Sequence, residues 1–159
     1  YAHPMMGPLM VTPTLFRSDD EAVTVSINMR RPAGRSREDF NASLDRALAT
    51  MKTEIDTRIE ELGPRYVGDA AIAELEGPLV PTLMDIWTRG TGTPAKPTSI
   101  RGGTYARLFP GAVSFGPAFP GQPYRGHAPD EYIELDALAK TTELVFEATI
   151  RLADGARAP

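Results

Sequence analysis

The chain has 159 residues, enough for one domain or two small pieces, and its 42% apolar and 24% charged residues exclude compositional disorder. A net charge of -4 with scattered Lys and Arg offers no basic face, which argues against a nucleic-acid partner. No apolar run of about 18 residues is present to cross a membrane as a helix. The lack of cysteine removes disulfides and Cys-type zinc sites and leaves the redox compartment open.

Tyr1-Ala2-His3-Pro4 has neither an initiator Met nor a charged-then-apolar leader, so the chain is expected to begin at an internal cut. Residues 1–8 are rich in Pro and Met and read as irregular. Val11 to Arg17 and Ala22 to Arg30 read as strands. In the second, Val23, Val25, Ile27 and Met29 alternate with Thr24, Ser26, Asn28 and Arg30. Ser18-Asp19-Asp20-Glu21 is turn chemistry, so the pair is expected as a hairpin, with Pro13 forcing an edge or a bulge. Ser36 is a good N-cap, followed by Glu38 and Asp39. Apolar residues at helical spacing from Phe40 to Leu62 then predict a long helix that Gly63-Pro64 stops.

Residues 65–76 fit a strand or a loop. Leu79, Val80, Leu83, Met84 and Trp87 mark a second helix, ended by Gly90-Thr91-Gly92-Thr93-Pro94. Pro97 to Ile100 and Ala112 to Phe115 are short strand candidates, and Thr104 to Leu108 predicts one or two helical turns. Residues 116–130 read as a loop. A last helix is expected from about Leu135, with a core stripe of Leu138, Thr142, Val145, Phe146, Thr149 and Ile150, and a fraying tail from Ala153 to Pro159. Alternating helix and strand after residue 78 predicts an α/β layer, a sheet flanked by helices. The hairpin and long helix before residue 63 predict a separate α+β piece.

Three places are suited to chemistry. His127 lies in a Gly- and Pro-bracketed loop, where an imidazole could bind a metal or simply face solvent, and a single His holds no metal alone. Gly102-Gly103 before a helical turn lets backbone approach a ligand, or simply makes a tight turn. Arg30, on the polar side of its strand, reads as a carboxylate grip or as a solvated arginine, with Arg31 and Arg35 as neighbouring candidates. His3 is read as a terminal residue without a role. Asn41-Ala42-Ser43 fits a glycosylation sequon inside a predicted helix and is treated as chance.

Ile27-Asn28-Met29-Arg30-Arg31-Pro32, Gly102-Gly103-Thr104-Tyr105-Ala106-Arg107, Val113-Ser114-Phe115-Gly116-Pro117, Phe119-Pro120-Gly121 and His127 to Ile133 occur in an order that resembles the dinuclear zinc peptidases. That family includes acetylornithine deacetylase, succinyl-diaminopimelate desuccinylase and the aminoacylases. The Thr-Tyr-Ala-Arg and Phe-Pro-Gly segments look most like its dipeptidase branch of Xaa-His or carnosinase-like enzymes. The resemblance implies that residues 1–63 end a lid or dimerisation domain and that residues 64–159 form the C-terminal segment of a catalytic α/β domain. It implies two zinc ions in the complete site, with His127 as one ligand. Arg30 would hold the substrate's terminal carboxylate, and Gly102 and Gly103 would line the pocket. The other ligands, and a glutamate general base, are expected upstream, so this chain would carry no catalytic residue.

Arg101 departs from the family pattern, which often has glycine there. The resemblance further implies a dipeptide or N-acyl amino acid substrate and a homodimer through the lid. It implies a cytoplasmic location, with periplasmic or secreted locations left open because a targeting signal would lie upstream. Two alternatives stay open: an N-acyl amino acid deacylase, and a non-catalytic dimerisation or interaction module.

Overall fold

The alternation of Val23, Val25, Ile27 and Met29 sets the first element pair of a computed structural model that describes residues 1–123 and 125–155. Tyr124, within the expected 116–130 loop, and residues 156–159 of the expected tail lie outside the described residues. The described chain is mixed α/β, with two small antiparallel sheets and three α-helices. It divides into two units, Tyr1–Ala71 with Ser99–Gly103 and Ile72–Thr98 with Thr104–Pro159.

In the first unit, β3 (Met10–Ser18) and β4 (Val23–Arg30) pair antiparallel from Met10 opposite Arg30 to Ser18 opposite Val23. Asp19 closes the turn. Its Oδ1 accepts the backbone N–H groups of Glu21 at 2.9 Å and Ala22 at 2.8 Å, which lowers the pKa of its carboxyl. Pro13 has no N–H to give the ladder, and the register shifts between Pro13 and Leu15 as a bulge. Residues 1–8, expected to be irregular, instead pair as β1 (Ala2–His3) and β2 (Gly7–Pro8). His3 Nδ1 turns the chain between them by accepting the N–H groups of Met5 and Met6 at 3.2 and 3.3 Å. Two-residue strands leave no alternation to read.

Helix α1 (Arg37–Glu54) starts as its sequence dictates, with Ser36 Oγ accepting the Asp39 N–H at 3.0 Å. It ends eight residues before the expected Leu62, because Ile55 turns extended at φ -109 and ψ 121. From Thr53 on, Ile55, Thr57 and Ile59 put β-branched residues at every second position, which weakens helix and suits extended chain. Of the expected apolar stripe only Phe40 is buried.

Arg31 does much of the holding in this unit. Its side chain is 7% exposed and lies 5.7 Å from the Phe40 ring centre. It donates to the Arg35 carbonyl at 2.7 Å, the Gly68 carbonyl at 2.9 Å and Asp69 Oδ1 at 2.6 Å. Arg37 donates to the other Asp69 oxygen at 2.8 Å. Arg65 pairs with Asp45 at 2.7 Å and with Glu61. Residues 65–71 are therefore irregular chain tied down by guanidinium groups, with no strand.

In the second unit, α2 (Leu79–Thr91) packs on α3 (Leu135–Gly155). Leu83, Ile86, Leu144 and Ala148 form the core, with Ile86 0% exposed. The helices approach closely at Gly90, where an added Cβ would stand 2.3 Å from Leu144 Cδ2. Gly92, at φ 69, ends α2 in the left-handed region and returns its N–H to the Thr88 carbonyl at 2.9 Å. Asp85 accepts from Arg151 at 2.6 Å and Arg89 at 3.1 Å, and Arg89 also reaches Glu147. Where one or two helical turns are expected over Thr104 to Leu108, Tyr105–Leu108 makes one, as a 3-10 helix.

Two expectations for the chain after residue 78 fail. Pro97 to Ile100 and Ala112 to Phe115 make no ladder among the described residues, so the expected sheet between helices is not formed there. Strands need a neighbour's N–H and C=O groups, whereas Phe115 meets Trp87 edge-on at 6.3 Å and Phe119 stacks on it at 5.2 Å. The stripe of α3 named as core faces outward: Leu138, Val145, Phe146 and Ile150 are exposed, Phe146 by 67%. The helix is apolar on two faces, and α2 takes the one where Ala137 and Ala148 permit close approach.

Leu144→Ala is expected to cost about 2–5 kcal/mol, whereas Phe146→Ser should stay within about 0.5 kcal/mol; urea unfolding curves compare the two. Hydrogen bonds from Arg37, then from Arg31, hold the Asp69 carboxyl below its ordinary value of 3.8. The unfolded state therefore takes up that proton more readily. Asp69's contribution is present above pH 3.8 and is lost as pH falls below it. Asp69→Asn should flatten this acid limb in thermal unfolding series recorded below pH 3.8, leaving the slope near neutrality unchanged.

Candidate functional site

Arg30 ends β4 and stands directly across the ladder from Met10, so strand alternation places it on one face with Asn28 and Ser26. It is exposed, and no carboxylate pairs with it among the described residues. Arg31, one residue on, points to the opposite side and is consumed by Asp69, Gly68 and Arg35. Of these two adjacent candidates, Arg30 is the one whose guanidinium is available to a ligand.

Ser99–Gly103 belongs to the same unit as Arg30. Ser99 Oγ donates to the Met5 carbonyl at 2.8 Å, and Arg101 reaches the Met10 sulfur. Arg101 Nη2 also lies 3.5 Å from the place a Cβ would occupy on Gly7, whose φ is +74. Arg101 therefore shares the neighbourhood of Met10 with Arg30. The sequence reading treated it only as a departure from glycine, and no local signal pointed to that placement. Gly102 follows with nothing within 4 Å of where a Cβ would stand, and Thr104 Oγ1 accepts from Ser114 Oγ at 2.8 Å.

His127 lies in the other unit, exposed, in a turn with its own φ at 61 and Asp130 at 57. These left-handed values are uncommon for residues with a side chain. Glu131 accepts the His127 N–H at 3.2 Å through Oε2. Arg125 lies 5.9 Å from the Tyr132 ring centre. No three His, Asp or Glu side chains converge on a metal position among the described residues. Zinc needs three or four protein donors, so His127 with its neighbours does not make a zinc site unaided. The sequon asparagine lies within α1 with its Oδ1 buried.

No family model matches the chain. A Beta-Ala-Xaa dipeptidase of Lactobacillus delbrueckii subsp. lactis is 30% identical over 152 residues, which cover 93% of this chain and 30% of that protein. A protein of Staphylococcus epidermidis named "Putative dipeptidase" is 32% identical over 84% of this chain and 27% of its own length. "Putative dipeptidase YtjP" of Bacillus subtilis is 47% identical over 76 residues, covering 48% of this chain and 16% of that protein. All three are dipeptidases by name. The similarities support a peptidase family, and the chain spans at most 30% of the length of these relatives. No described helix is long and apolar enough to cross a membrane.

Gly102→Ala meets open space and should leave stability within about 0.5 kcal/mol. Gly7→Ala forces a left-handed residue and is expected to cost about 1–2 kcal/mol; denaturant midpoints at constant slope separate the two.

Proposed function

We propose that this chain is the C-terminal portion of a zinc-dependent metallopeptidase that hydrolyses dipeptides. The observation that carries the reading is the 30% identity to a Beta-Ala-Xaa dipeptidase along 93% of the chain. In this reading residues 1–63 belong to a lid or dimerisation domain and residues 64–159 to the catalytic domain. The remaining zinc ligands and the general base come from upstream polypeptide.

In this reading Arg30 has the chemistry to take the substrate's free carboxylate through two parallel hydrogen bonds and so set where the scissile bond falls. The open space at Gly102 suits substrate backbone. His127 would supply one imidazole to zinc, whose role is to acidify a water and polarise the peptide carbonyl. The relatives' names favour a dipeptide over an N-acyl amino acid. A homodimer through the hairpin is part of the proposal, because the outer edge of β4 has no strand neighbour among the described residues. A non-catalytic module is the reading to adopt if the upstream ligands are lacking.

The test uses the polypeptide extended to its relatives' length. Arg30→Ala should raise KM for dipeptides about 10- to 100-fold, as loss of hydrogen bonds between charged groups does, with a smaller change in kcat. His127→Ala should lower both metal content and kcat. Unchanged KM in the first variant and full metal in the second would reject the assignment. The 159-residue chain by itself should show no tight stoichiometric zinc uptake in calorimetry.

A further inference from the structure

We propose that Arg35, Ser43 and Arg46 form a binding site for a phosphate group, separate from Arg30, Gly102, Gly103 and His127 and independent of the reading built on them. Ser43 Oγ accepts from Arg35 Nη1 at 3.3 Å and from Arg46 Nη2 at 3.0 Å, while donating its own proton to the Asp39 carbonyl at 2.8 Å. Two cations thus converge on one neutral hydroxyl. Neither has a carboxylate partner among the described residues. Like charges held this close repel, and an anion between them removes the repulsion.

The donors are held in place before any ligand arrives. The Arg35 guanidinium lies 4.5 Å from the centre of the Tyr1 ring, and Tyr1 is fixed by its hydroxyl donating to the Pro32 carbonyl at 3.0 Å. The Arg35 backbone is held by Arg31 at 2.7 Å. Arg46 and Ser43 are three residues apart on α1 and so share a face. Preordered donors lose less entropy on binding. Beside them is a solvent-open cavity of about 240 Å³, lined by Arg35, Asp39, Ala42, Ser43 and Arg46.

Charge favours a phosphate group over a carboxylate. Arg35 comes from the loop before α1 and Arg46 from the helix itself, so two planar forks reach one point from different elements. A carboxylate brings one negative charge to two guanidinium groups, whereas a phosphate group brings about 1.5 to 2 and has oxygens enough for both forks. Asp39 is the opposing charge on the rim, and its Oδ2 already accepts the Ser36 hydroxyl at 2.8 Å. Two guanidinium groups outweigh that one carboxylate.

The experiment is an amide and arginine side-chain NMR titration of the 159-residue chain with inorganic phosphate at constant ionic strength, with acetate as the comparison. Saturable shifts at Ser43 and at the Arg35 and Arg46 side chains are expected with phosphate and not with acetate. Arg35→Gln with Arg46→Gln should weaken phosphate binding at least tenfold, and Arg46→Gln alone should give part of that loss with the remaining spectrum unchanged. Shifts that never saturate, or that persist in the double variant, would overturn the site. Equal saturation by acetate would overturn the phosphate assignment.

Discussion

Ile86 loses all contact with solvent where α2 meets α3, and the order of the C-terminal unit follows from that seam. The helices come together at Gly90, with Ala137 and Ala148 buried along α3, so the contact is close enough to enclose a branched side chain completely. Trp87, one residue beyond Ile86, then presents a broad surface that Phe115 and Phe119 cover. In this way a segment with no ladder is nevertheless anchored, and the Gly- and Pro-rich loop carrying His127 departs from a fixed base. Helix α2 can sheathe only one side of α3, which leaves the second apolar face uncovered.

The N-terminal unit is held by different physics. Phe40 is its buried apolar anchor, and guanidinium groups tie irregular chain to regular chain around it. Arg31 does this at a cost, since its Nε is buried without a partner among the described residues. Adjacent arginines at the end of β4 therefore part company. Strand alternation sends Arg31 inward to Asp69 and Gly68 and leaves Arg30 outward, its donors uncommitted among the described residues. An uncommitted guanidinium and a structural clasp thus sit one peptide bond apart, and the pleat decides which is which.

Local chemistry was legible in the sequence. The hairpin, its Asp19 turn, the Pro13 irregularity, the Ser36 cap and the Gly92 stop all depend on residues within a few positions of one another, and each stands where its chemistry puts it. Features set by distant partners were not legible. The spacing after Glu54 suits a helix and an extended chain alike, and nothing nearby decides between them. Val113 and Phe115 look like a strand, but that identity needs a neighbouring strand, and Trp87 offers packing instead. The apolar residues of α3 fall on two faces, and only the close approach at Gly90 selects one. The candidate site divides in the same way. Arg30 could be placed from alternation, whereas Arg101's position beside Met10 comes from a contact 91 residues apart in sequence. For His127, local residues supply a turn and one carboxylate, too few donors to fix a role from sequence.

The bulge at Pro13 also governs how the hairpin meets other strands. A ribbon of two strands has two free rims of N–H and C=O groups, each a template for further pairing. Along β3, proline and the register slip interrupt that template. Along β4, eight proline-free residues with Val23, Val25 and Ile27 in alternation present it unbroken. Growth by cross-β stacking is thus polarised: a newcomer, whether a proper mate or an unfolded stray, zips onto β4, and the β3 rim stays inert.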